Sequence, residues 1–163
     1  MRRVNQPVAM PFTFLFAILM LVTATAEEPV ALMGTIVKWR YPDAEIGMSE
    51  MSDAATIAAD GERTVPSIVL TTTMVTGDSV DKVLAFYRDL LNRKPLNDSK
   101  LGIDPKVGRS VVSRDESEGR PFAFHTIAVN SAGTSTTLII TRGADERATR
   151  ITWMQYLRHD IDK

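Results

Sequence analysis

The sequence predicts an α+β fold in two layers. One main amphipathic helix packs on an antiparallel sheet of about four to six strands, in the order strand, helix, meander. Three observations carry this reading. Residues 65–76 are dense in β-branched side chains. Residues 79–91 repeat apolar side chains at helical spacing. Beyond residue 109 the period falls to two, and short Gly-containing connections join the strand-like runs, which makes antiparallel hairpins. A lone amphipathic helix must bury its stripe, and one face of the sheet is the partner on offer.

The elements follow in chain order. Residues 27–40 read as an N-terminal extension, a linker ending in the apolar plug Ile36-Val37-Lys38-Trp39, ahead of a single domain over 41–163. Tyr41-Pro42-Asp43-Ala44 is a turn, because proline fixes φ and pushes Tyr41 to an extended conformation. A short strand over 45–51 and a turn at Asp60-Gly61 come next. In the 65–76 strand, Ile68, Leu70 and Met74 share one face, and Val69, Thr71, Thr73 and Val75 the other. Pro66 sits near its start, where a missing N–H is tolerated.

Gly77-Asp78 breaks that strand and Asp78-Ser79-Val80-Asp81 opens the helix. Asp78 is expected to accept from the free N–H groups of the first turn, and Asp81 suits the helix dipole. Val80, Val83, Leu84, Tyr87, Leu90 and Leu91 form the stripe, Phe86 widens it, and Lys82, Arg88 and Asp89 fall outside. The helix ends before Pro95. Residues 92–109 read as a loop. Strands follow over 110–114, 122–130 and 134–142, joined by Glu118-Gly119-Arg120-Pro121 and Ser131-Ala132-Gly133. Residues 148–158 alternate Ile151, Trp153 and Leu157 against Arg150, Thr152 and Tyr156, a fourth strand, with a C-terminal helix as the alternative.

The first 26 residues are read apart from the fold. Arg2 and Arg3 give a basic start, residues 12–22 are apolar except Thr13, and Ala24 and Ala26 are small. That pattern is a secretory signal peptide cleaved after Ala26. The apolar stretch is shorter than the roughly 20 residues a spanning helix needs, so contact with a membrane is expected only through this segment if it stays uncleaved. The protein is thus expected to be exported, periplasmic or secreted.

The chain has 163 residues, 19 Lys+Arg, 20 Asp+Glu and a net charge of −1. Removing residues 1–26 takes away two arginines and no acid, leaving 137 residues at net −3, enough for one domain. A mildly acidic domain without a basic stripe does not fit a nucleic-acid binder. There is no cysteine, which excludes disulfides, thiolate metal sites, Fe–S clusters, cysteine nucleophiles and a lipidated N-terminal cysteine. No P-loop and no G-x-G-x-x-G occurs, so no cofactor is expected.

Tyr41-Pro42-Asp43-Ala44, a strand ending in Thr, then Gly77-Asp78-Ser79-Val80-Asp81-Lys82-Val83 with Phe86-Tyr87 and Leu90 form a recognisable series. It is similar to bacterial exported proteins of uncharacterised function that carry a Y-P-G-A turn and a T-x-D-S-x-x-x-V-x-x-F-Y-x-x-x-L helix followed by a β-meander. The resemblance spans roughly residues 41–158. It departs at Asp43, where the pattern has Gly, and at Gly77, where it has a polar residue. It implies export and fold, and transfers no active site.

Among single residues, His125 stands out, mid-strand with Ala123, Ile127 and Val129 on its face and Phe124 opposite. An imidazole there is a general base or ligand contact, or a plain sheet residue. Trp39, Tyr41, Trp153 and Tyr156 line a pocket between helix and sheet or belong to the core. The low-specificity ligand-binding candidates are therefore His125, Trp153 and Tyr41. Asp115-Glu116-Ser117-Glu118 is an oxygen-rich loop without the spacing of a calcium loop, and His159 with Asp160 and Asp162 lies at the chain end, where a preorganised metal site does not form. No G-x-S-x-G or S-x-x-K motif is present. Neither catalytic nor metal residues are assigned. The expectation is a non-catalytic exported domain that binds a small ligand, polymer or partner in the cell envelope. The alternative is a small exported enzyme using His125 as general base in a helix–sheet cleft.

Overall fold

The structure is a computed structural model that describes residues 31–54, 57, 59–62, 67–92, 101, 103 and 108–158. The signal segment with its Ala26 cleavage position and the His159 end lie outside the described residues. Among the described residues, two helices, α1 (Leu32–Trp39) and α2 (Val80–Leu90), accompany six strands: β1 (Glu45–Asp53), β2 (Ser67–Thr76), β3 (Ser110–Asp115), β4 (Phe122–Asn130), β5 (Thr134–Gly143) and β6 (Thr149–Arg158). All six form one antiparallel sheet in the order β1-β2-β6-β5-β4-β3. The fold is α+β, as the sequence predicts, but strand-dominated and with two helices rather than one.

The second helix is the main correction. Residues read as a linker form α1, which places Ile36 and Trp39 fully in the core. The helix has no side-chain cap at Ala31 and contains Gly34, so local sequence gives it little support. Burial of Ile36 and Trp39 holds it, together with the Tyr87 hydroxyl of α2, which donates to the Trp39 carbonyl at 3.0 Å. Arg40 then closes the turn by donating from Nη2 to the Ala44 carbonyl at 2.7 Å.

The Tyr41-Pro42-Asp43-Ala44 turn is present, with the Ala44 N–H on the Tyr41 carbonyl at 3.2 Å. Asp43 takes a positive φ of 55°. That conformation is easiest for glycine and tolerable for Asp.

Antiparallel pairing sorts the sheet into a covered and an open face. Leu70, Thr72 and Met74 of β2, Ile151, Trp153 and Gln155 of β6, Thr136, Leu138 and Ile140 of β5, and Ile127 and Val129 of β4 are all buried on the covered face. Val83, Tyr87 and Leu91 of α2 meet them. Two pairs of polar groups meet there, Gln155 Nε2 donating to Thr136 Oγ1 at 2.8 Å and Thr72 Oγ1 lying 2.7 Å from Ser49 Oγ, while the buried Trp153 Nε1 has no hydrogen-bond partner among the described residues. The open face carries half-exposed Val69, Thr71, Thr137, Ile139, Thr152 and the more exposed Met154 and Tyr156.

Three hydrogen bonds fix how α2 lies on the sheet. Thr149 Oγ1 and Arg142 Nη1 donate to the Asp78 carbonyl, just before α2, at 2.6 and 3.2 Å. Arg109 Nη2, just before β3, donates to the Leu91 carbonyl at the other end, at 2.9 Å. The start of α2 therefore sits over the β5–β6 turn, and its end over the start of β3.

Candidate functional site

α2 does not cover the sheet completely. Between it and strands β3 and β4 lies a cleft of about 470 Å³. Asp81, Leu84, Arg88 and Leu91 form the helix wall. Their spacing of three, four and three residues puts them on one side of α2. Arg114 of the exposed strand β3 borders the cleft, and Val111, Ser113 and Asp115 of β3, with His125 and Ile127 of β4, form the sheet wall. The wall residues share the covered face because Val111 pairs with Val129, Ser113 with Ile127 and Asp115 with His125.

His125 is thus in the cleft, where alternation with Ile127 and Val129 aimed it. Its side chain is 15 % exposed, and its Nδ1 lies 3.6 Å from Asp115 Oδ1. That is ion-pair range when the imidazole is protonated, and longer than a hydrogen bond. Asp115 Oδ1 is already engaged, accepting the Ser117 N–H at 3.0 Å. The Ser117 hydroxyl and N–H, with a smaller contribution from His125, hold the Asp115 carboxyl below its ordinary range. The loop expected as an oxygen-rich run is therefore engaged internally. Glu116 Oε1 also accepts from Thr126 Oγ1 at 3.5 Å. Among the described residues no group of three or more His, Asp or Glu side chains converges to hold a metal ion.

Tyr41 goes to a different place. It is buried, and its hydroxyl donates to Asp78 Oδ2 at 2.7 Å, while Lys82 Nζ holds Asp78 Oδ1 at 2.8 Å. Burial, then the bond to Asp78 and its negative charge, push the Tyr41 phenol up to about 12. Lys82 and Tyr41 together hold the Asp78 carboxyl below its ordinary range. The helix cap is also reassigned. Ser79 Oγ accepts from the Lys82 N–H at 3.4 Å, and Asp78 serves the Tyr41 and Lys82 contacts instead. The motif residues Tyr41, Asp78 and Phe86 line a shallower depression, with Tyr41 and Phe86 edge to face at 5.1 Å.

Trp153 lies away from the cleft. It is sealed at 0 % exposure against Trp39, with ring centroids 6.4 Å apart, because its strand position faces Leu138 and Thr72 under the helices. Trp39 is equally sealed, and Tyr156 points to the open face. None of these three lines the cleft.

Asp81, Arg88, Ser113 and Asp115 were missed as site residues. Arg88 reads as solvated when only the apolar stripe is traced. Asp115 was readable: counting outward equally from a turn centred on Arg120 sets position 115 opposite 125. Comparison of the chain with protein-family models, with curated proteins and with solved structures gives no match. The reading of the cleft therefore rests on its own residues. Among the described residues no helix is long and apolar enough to cross a membrane.

Proposed function

We propose that the protein is an exported, non-catalytic domain that binds a small ligand in the α2–β3/β4 cleft. The observation that supports it is one concave site that combines apolar walls with converging polar side chains. Its volume of about 470 Å³ suits a small molecule, and Leu84, Leu91, Val111 and Ile127 supply the apolar surface. Arg88, Ser113, Asp115 and His125 supply the orienting groups. Export is supported by the basic start, apolar stretch and small residues of the first 26 positions. The bacterial exported proteins with the Y-P-G-A turn and F-Y helix give the same direction.

A fragment screen read by backbone amide shifts tests the binding. Hits that move β3, β4 and α2 amides together support it, and a broad screen with no hit at the cleft overturns it. N-terminal sequencing of the protein from culture medium or periplasm tests export, with Glu27 expected as the first residue.

A second reading, a small exported enzyme with His125 as general base, gains from the cleft position of His125 beside a carboxylate. It ranks second because Asp115 does not orient the imidazole by a hydrogen bond and its Oδ1 already accepts from Ser117. A converted substrate among the cleft hits, with turnover abolished in His125→Gln, would put the enzyme reading first.

A further inference from the structure

Some charged side chains of the molecule are paired, and others, such as Glu50 and Arg147, have no ion-pair partner among the described residues. Asp78 is paired with Lys82 and Glu146 with Arg150. On the cleft wall of α2, by contrast, neither Asp81 nor Arg88 has a side-chain hydrogen bond or ion pair with a described residue, although both face the same concavity. They are seven residues apart, two helical turns, or about 10 Å along the axis.

The opposite wall is polarised in the same direction. Because α2 runs from the Arg142 end of the sheet to the Arg109 end, Asp81 lies toward Asp115 and His125. Arg88 lies toward Val111 and the start of β3. Arg114 borders the cleft beside Asp115 rather than at the Arg88 end, from a strand position paired with Thr126 whose alternation belongs to the open face. The cleft thus has an acidic end at Asp81 and Asp115, a cationic end at Arg88, and apolar Leu84 and Ile127 between.

Resting on the reading of the cleft as a ligand site, we propose that its ligand is an amphoteric small molecule. Its cationic group lies at Asp81 and Asp115, its anionic group on the Arg88 guanidinium, and an apolar spacer about two helical turns long lies between. A carboxylate or a phosphate would serve as the anionic group, because a guanidinium offers both the same forked donors. A ligand of one charge alone would meet a like charge at one end.

The test titrates the full chain with 4-aminobutanoate, 6-aminohexanoate and 8-aminooctanoate, and with alkylamines, alkanoates and alkyl phosphates of matching length. Binding is read from amide and Arg side-chain N–H shifts. Affinity is expected to rise with chain length across the amino acids, and the longest should bind about tenfold more tightly than either singly charged control. Arg88→Gln should reduce it to the level of the alkylamine. Asp115→Asn, which keeps a side-chain oxygen for the Ser117 N–H, should reduce it to the level of the alkanoate. An added series of aminoalkyl phosphates distinguishes a carboxylate ligand from a phosphate one. Controls that bind as tightly as the amino acids, or variants without effect, overturn the amphoteric ligand and leave the cleft reading standing. A cleft that answers to no probe here and to no hit of the broad fragment screen overturns both.

Discussion

The hydroxyl of Tyr41 donates to Asp78 Oδ2 across 2.7 Å, joining residues 37 positions apart. Tyr41 leaves α1 and Asp78 precedes α2, so this one bond ties the two helical segments at the same end of the sheet. The Asp78 carbonyl holds Thr149 and Arg142 at the same point. The Tyr-Pro-Asp-Ala and Asp-Ser motifs therefore have a structural use that accounts for their residue types without any chemistry on a ligand.

The bond has a pH signature. The Tyr41 phenol is raised from 10.0 to about 12, so its stabilisation is complete below pH 10 and lost as pH rises from 10 through 12. The Asp78 carboxyl is lowered from 3.8, so its contribution is present above that value and lost as pH falls below it. Tyr41→Phe should lower the melting temperature by about a few degrees at neutral pH. The gap from the parent protein should be flat between pH 5 and 9 and should close on both sides, below about pH 4 and above about pH 10. A gap that is constant across pH would remove Asp78 from the account.

Tyr87 is the second tie between the helices. Its ring is fully buried and its hydroxyl meets the Trp39 carbonyl at 3.0 Å. Tyr87→Phe keeps the ring packing and leaves that buried carbonyl without its donor, at a cost of about 1–3 kcal/mol. Urea unfolding measures it, and an unchanged midpoint would contradict the tie.

Gly47 sits in β1 where the register to β2 shifts between Ile46 and Ser49. A Cβ there would lie 2.6 Å from Thr73 Oγ1. Gly47→Ala should therefore destabilise by about 1 kcal/mol, and Thr73→Ala should recover most of the loss. Additive losses in the double variant would show that the clash is not with that hydroxyl.

The chain has two tryptophans, Trp39 and Trp153, both at 0 % exposure. Their fluorescence should be blue-shifted and resistant to iodide in the folded protein, and should stay so when cleft ligands bind. Quenching of the native state would place an indole at the surface, as the pocket reading of Trp153 requires.

Legibility followed the range of the interaction. The α2 stripe and the alternation of β2, β4 and β6 are short-range patterns, and Val83, Tyr87, Leu70, Ile127 and Ile151 are buried where those patterns put them. The helix at 32–39 was not legible. Eight residues with Gly34 and no cap carry too weak a local signal, and contacts from distant Tyr87 decide it. The same holds for Asp78, whose capping role passed to Ser79 because Tyr41 and Lys82 compete for its carboxylate. At the site, the face of His125 was legible from its neighbours. Asp81 and Arg88 were not, because the lie of α2 on the sheet, set by Arg109, Arg142 and Thr149, is what brings these exposed side chains to the edge of a cleft.

The most direct test of the central claim plugs the cleft from its exposed wall. Ser113 lines the cleft on the exposed strand β3, so Ser113→Trp fills the space without entering the core. The same fragment set is titrated against the parent protein and Ser113→Trp, with circular dichroism to show both folded. The account predicts hits that shift the His125, Ile127 and Leu84 amides of the parent and lose that binding in the variant. Hits that bind both proteins equally, or that map to the open sheet face around Thr137 and Thr152, would contradict it.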